Sequence, residues 1–150
     1  MKKLVSLLLV LLMCVGVCAT LVACGDDNNK EDDLKIGVIL LHDEKSTYDR
    51  NFMNGVEAAA AALGKVQIVY KKNIPETDAA YEAACDLVDL GCKIVFADSF
   101  GHEEHILKAA KENPDVQFCH ATGTTAHTAG VANFHNAFAS IYEGRYLAGI

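Results

Sequence analysis

The chain has 150 residues, 51% of them hydrophobic, with 20 Asp+Glu against 13 Lys+Arg, a formal net charge of −7 and six cysteines. An acidic surface repels phosphate backbones and anionic headgroups, so nucleic acid and bare anionic lipid are excluded as partners. Once an apolar leader is set aside, the length leaves one small domain.

That leader comes first along the chain. Lys2 and Lys3 precede a stretch from Leu4 to Val22 with no charged residue, and an acidic polar run from Gly25 to Asp33 follows. This is the layout of a secretory signal. The junction Leu21-Val22-Ala23-Cys24 looks like a bacterial lipobox. Cys14 follows Met13 and Cys18 follows Val17, so Ala23 is the only small residue directly before a cysteine here. Cys24 is therefore the expected lipidation site, with residues 1–23 as signal peptide and 24–33 as lipidated cysteine and acidic tether. Two acyl chains, at about 0.8 kcal/mol per buried methylene, anchor where one is marginal. The alternative is an uncleaved transmembrane anchor, since about 20 apolar residues span a bilayer. Either way the remainder is expected on the extracytoplasmic face of the cell membrane. Removing Lys2 and Lys3 takes the net charge to −9. Cys85, Cys92 and Cys119 remain, an odd number that argues against a full disulfide framework. They read as buried small hydrophobes, and a Cys85–Cys92 bridge is the weaker alternative because spacing does not establish reach.

From Leu34 two hydrophobic periods alternate. The run 35–41 is a continuous apolar strand, and Tyr48, Phe52, Val56, Ala59 and Leu63 recur at helical spacing up to Gly64. Residues 66–70 form a second strand, and a helix opening at Ile74-Pro75-Glu76-Thr77 stops at Gly91. Residues 93–97 are a third strand, followed by a helix from about His102 to Glu112. Asn113-Pro114-Asp115 breaks the pattern. A fourth strand at 116–119, a weaker fifth at 131–134 and a helix from about Phe138 onward complete it.

Strands without polar alternation, separated by helices, predict an α/β fold: a doubly wound parallel sheet covered on both faces. In such sheets ligands bind beyond the carboxyl ends of the strands. The segments there, 42–48, 98–102, 120–125 and His135-Asn136, are rich in Ser, Thr, Asp, His, Asn and aromatics.

The segments Lys35-Ile36-Gly37-Val38, Asp98-Ser99-Phe100-Gly101, Asn113-Pro114-Asp115-Val116, His120-Ala121-Thr122-Gly123 and 141–149 (Ile-Tyr-Glu-Gly-Arg-Tyr-Leu-Ala-Gly) occur in order. Together they resemble the amino-terminal lobe of the basic membrane protein family, lipid-anchored substrate-binding proteins of ABC importers. The resemblance runs from about Leu34 to Ile150. It implies the type I periplasmic-binding-protein fold, two α/β lobes around a cleft, with 34–150 as the amino-terminal lobe and a carboxyl-terminal lobe expected beyond it. It also implies non-covalent capture of a small solute, most often a purine nucleoside, delivery to an ABC transporter permease, and no cofactor.

By the same resemblance Tyr48 matches an aromatic position that stacks on the base, and Asp49 lies beside it at a polar contact position. A phenol ring offers a purine a flat contact worth about 1–3 kcal/mol. The bland reading of Tyr48 is the start of a helical core stripe. Asp43 follows the first strand and is able to accept from ligand hydroxyls or amino groups, or else serves as a turn residue. Ser99 offers a donor or a helix cap, and Phe100 follows it. The family's helix-start acid falls on Glu104, where it would hold ribose hydroxyls; many relatives have the shorter Asp there. Thr122, Gly123 and Asn136 complete the candidate rim.

Two other classes stay open. His102-Glu103-Glu104-His105 places two imidazoles three apart, a spacing able to serve zinc, but no HExxH pattern occurs and the other histidines are scattered. A metal-binding lipoprotein, or a sensor for a small signal molecule on the same fold, are the alternatives to the importer. An enzyme is not expected: no Gly-x-Ser-x-Gly elbow, P-loop or dinucleotide fingerprint follows a strand. Cys119 and His120, adjacent on a strand, point to opposite faces and make no catalytic dyad.

Overall fold

A computed structural model describes residues 33–137 and 141–149. Leu34–Ile39 forms β1, a run apolar on both faces and buried from Ile36 onward. Thr47–Leu63 forms α1, capped by Ser46, whose Oγ accepts from the Asp49 N–H at 3.4 Å. Val66–Lys71 is β2. Asp78–Asp89 is α2, with Thr77 as N-cap, and Ile94–Ala97 is β3. A single 3₁₀ turn, Phe100–His102, leads into α3 at Glu103–Glu112. Gln117–His120 is β4, Ala126–Ala129 the short α4, Phe134–Asn136 β5 and Ile141–Ala148 α5.

All four strand pairings are parallel, in the order β2-β1-β3-β4-β5. Parallel neighbours need crossovers, and here the helices supply them on both faces. Ile39, Val95, Ala97 and Phe118 pack with Ala84, Leu87, Ile106 and Ala110 of α2 and α3. On the opposite face Ile36, Val38 and Leu40 pack with Met53, Phe52 and Val56 of α1. A side chain at Gly37 would strike Leu87, so its lack of a Cβ lets α2 approach β1. The chain order reverses between β1 and β3, which makes their carboxyl ends the topological switch point.

Two features stand out against expectation. Gly64 and Gly130 cap the carboxyl ends of α1 and α4, but β5 begins at Phe134 and not at Val131. Asn133 is buried, and its Nδ2 faces the carbonyls of Ala110, Asn113 and Val116 at 2.9, 3.0 and 2.8 Å. That amide ties 131–133 into a turn, closed by the Phe134 N–H on the Val131 carbonyl. The short α4 was also not foreseen, four residues being too few for a readable period. Cys85, Cys92 and Cys119 are free thiols. Burial pushes Cys92 and Cys119 above the ordinary thiol range. No helix among the described residues is long and apolar enough to cross a membrane. Cys24 and the apolar run before it lie outside the described residues.

Candidate functional site

At the switch point two carboxyl side chains come together. Asp98, one residue past β3, accepts the Leu41 N–H at 3.1 Å. Asp49, in the first turn of α1, accepts the next amide along, that of His42, at 2.9 Å, and lies 3.3 Å from the His42 ring. Consecutive amides of one segment thus hold the two acids side by side, each only 1% exposed. Asp98 Oδ2 is buried with no hydrogen-bond partner among the described residues, and Asp49 is the charge that faces Asp98. Burial first, then the facing Asp49 charge, push the Asp98 carboxyl up to about 7. Asp49 goes the other way: burial opposes ionisation, but hydrogen bonds from Ser46 and His42 hold it below its ordinary value. Tyr48 covers the pair and donates from its hydroxyl to the Asp98 carbonyl at 3.0 Å, while 53% of the residue stays exposed.

The β4 and β5 ends are built differently. His120 is fully buried on the face opposite Cys119 and donates from Nε2 to the Ser99 carbonyl at 2.6 Å. Glu103 opens α3 and reaches across to the next two loops. Its carboxylate accepts the Thr125 N–H at 2.8 Å and the Asn136 amide at 3.2 Å. Burial opposes ionisation here too, yet the Thr125 and Asn136 bonds and the nearby His120 hold Glu103 below the ordinary carboxylate range. Asn136 in turn accepts the Ala126 N–H at 2.8 Å. Between the two halves Glu76, from the loop after β2, accepts from the Ser99 hydroxyl and from the Gly101 N–H. These contacts form one polar rim along the carboxyl edge of β1, β3, β4 and β5.

Residues 38–150 match the Bmp family, ABC transporter substrate-binding proteins described as PnrA-like. The chain belongs to this family. Bmp proteins bind solutes and are not enzymes. A purine-binding protein of Brucella abortus (strain 2308) is 34% identical over 130 residues, covering 84% of this chain and 35% of that protein. An ABC transporter solute-binding protein from Conexibacter woesei superposes with a TM-score of 0.61 at 17% identity, over 70% of this chain and 35% of its own. A transcriptional activator of the comK gene from Bacillus halodurans gives 0.52 at 21% identity, over 59% of this chain and 30% of its own. These two likenesses carry the fold. The chain spans about a third of the length of the relatives it matches.

The residues expected at the site take different places. Tyr48 and Phe100 are exposed aromatics on the rim, at 53% and 67%. Asp49 is buried beneath Tyr48. Asp43 is half-buried and closes its own turn, its carboxylate accepting the Lys45 N–H at 2.9 Å. Ser99 is engaged with Glu76. Thr122 Oγ1 is buried with no partner among the described residues. Glu104 is exposed on the outer side of α3, whereas Glu103 faces the rim.

Asp98, Glu76, Glu103 and His120 were not singled out for the rim, whereas Gly123 was. A Cβ at Gly123 would meet Glu103 Oε1 and His120 Nδ1, so a glycine in a polar loop after a strand was the one available signal. His102 and His105 do not converge. His102 is buried and donates to the Ile74 carbonyl at 2.9 Å, and His105 lies 3.4 Å from Asp78. Among the described residues no three His, Cys, Asp or Glu gather as metal ligands.

Proposed function

We propose that this chain is the amino-terminal lobe of an extracytoplasmic solute-binding lipoprotein, anchored through Cys24, that presents its rim to a purine nucleoside. The observation that carries the reading is the pair of exposed aromatic residues, Tyr48 and Phe100, beside a row of positioned carboxylates and amides at the switch point. A flat ring beside a polar rim suits a ligand with one aromatic face and several hydroxyls. The purine-binding relative from Brucella supports the same ligand class. A second lobe would supply the facing wall, and ligand contacts to both lobes would favour a closed form for delivery to an ABC permease.

Calorimetric titration of the full-length protein with adenosine, guanosine and inosine, against ribose and free purines, tests the ligand. Tight binding of a nucleoside, weakened at least tenfold by Tyr48→Ala, is expected. Binding of ribose or free purine alone would replace the nucleoside with that smaller ligand. The anchor is tested by cell fractionation, where Cys24→Ser is expected to move the protein from the membrane to the soluble fraction.

A further inference from the structure

We infer that Asp49 and Asp98 share a single proton, and that this proton fastens the start of α1, and with it Tyr48, to the end of β3. The geometry leaves few alternatives. Both carboxyls are buried, and neighbouring amides of the β1 exit, Leu41 and His42, fill one oxygen of each. Two ionised carboxylates have no hydrogen between them, which strands Asp98 Oδ2 without a donor. One proton on Asp98 converts that repulsion into an O–H···O⁻ bond to Asp49, the arrangement with no unpaired buried oxygen. Asp49 is the better site for the charge, because the His42 amide and ring already donate to it.

The titratable groups facing Asp98 are Asp49 and Tyr48 from α1, with His42 from the β1 exit acting through Asp49. Tyr48 donates to the Asp98 backbone carbonyl, so a loosened pair also loosens the ring. Asp98 is therefore a positioning residue for Tyr48. Its effect on ligand affinity rests on the nucleoside reading above; its effect on the fold does not.

The direction of the pH effect follows by linkage. Asp98 titrates near 7 when folded and at the ordinary carboxylate value, 3.8, when unfolded. The folded chain thus holds a proton that the unfolded chain releases. Stability from this contact is complete below about pH 4, declines as pH rises, and is gone above about pH 7. His102 and His120 act oppositely, because burial lowers both and the unfolded chain takes up their protons below about pH 6.5. The contribution of the acid pair must therefore be read as a difference.

Thermal and urea unfolding of the ligand-free full-length protein, wild type against Asp98→Asn, from about pH 4 to about pH 9, reads it directly. The asparagine amide donates to Asp49 at every pH and so imitates the protonated acid. The two proteins are expected to match in acid, and the wild-type unfolding constant to grow relative to the variant by up to about tenfold per pH unit until neutrality. Parallel profiles would overturn the proposal. Should Asp98→Asn fail to fold, infrared titration of the wild type decides: a protonated-carboxyl carbonyl band persisting to near-neutral pH supports the shared proton. Ionisation of every carboxyl by about pH 5.5 refutes it. Nucleoside affinity plays no part in either readout, so a wrong ligand leaves this test intact.

Discussion

The two halves of the carboxyl edge solve the same problem, an acid partly or wholly withdrawn from water, in opposite ways. At β4 and β5 the Glu103 carboxylate receives the Thr125 amide and the Asn136 side chain, with His120 close by, and stays ionised. At β1 and β3 Asp98 receives one amide and faces another acid, and is driven toward its neutral form. The number and kind of donors decide the charge, and burial alone does not. One half is a lock tightened by ionisation, and the other is a joint closed by a proton.

The largest expected break is in the lock. A Cβ at Gly123 would overlap Glu103 Oε1 and sit 2.5 Å from His120 Nδ1. His120 is fully buried and fixed to the Ser99 carbonyl, so neither neighbour moves freely. Gly123→Ala is expected to cost about 3 kcal/mol in urea unfolding, with an unchanged m-value. Gly101→Ala is the matched control. There the Cβ would meet Glu76, an exposed side chain able to swing outward. A loss of about 1 kcal/mol is expected, that of a surface hydrogen-bond clamp. Equal losses at the two glycines would mean that the lock is no more rigid than the loop beside it.

The next comparison is one of sign. Glu103→Gln keeps the shape but removes the charge from two hydrogen bonds, with an expected cost of about 1–2 kcal/mol at neutral pH. Because Glu103 titrates below its ordinary 4.5 when folded, that difference is complete above pH 4.5 and disappears as pH falls through the folded value. The Asp98→Asn difference has the opposite sign: it too vanishes in acid, but toward neutrality the wild type becomes the less stable of the two proteins. Measuring both variants over one pH series tests whether the two halves carry opposite slopes. Two slopes of the same sign would remove the distinction between lock and joint.

Much of this edge was legible in the chain, for a definite reason. Continuous apolar runs such as 35–41 and 93–97 are what a sheet buried on both faces requires, so the strands, their parallel order and the polar edge followed from period and length. Phe100 and Asn136 were named as candidates because they follow predicted strands, and Tyr48 because it matches an aromatic position in the family resemblance. The failures share a cause as well. Which of Glu103 and Glu104 faces the rim depends on helix phase, and the 3₁₀ turn at Phe100–His102 sets that phase. Asp49 and Asp98 are 49 positions apart and meet only because β1 and β3 are neighbours. The start of β5 depends on Asn133 reaching three carbonyls of a distant turn. Each is a tertiary fact with no local signature.

The smallest expected effect separates the ring of Tyr48 from its hydroxyl. The hydroxyl is already committed to the Asp98 carbonyl, and burial together with Asp98 and Asp49 raises it above the ordinary phenol range, so it stays a donor across the physiological window. Tyr48→Phe removes only this tether. The freed carbonyl belongs to the buried Asp98, and losing one neutral hydrogen bond to it is expected to cost about 0.5–1 kcal/mol in stability. The ring remains. If stacking is its role, nucleoside affinity in Tyr48→Phe stays within a few-fold of wild type while Tyr48→Ala loses at least tenfold. If Tyr48→Phe weakens binding as much as Tyr48→Ala, the hydroxyl governs the site and the aromatic face does not. In that case the proton joint beneath Tyr48 would matter to the ligand chiefly through the carbonyl of Asp98.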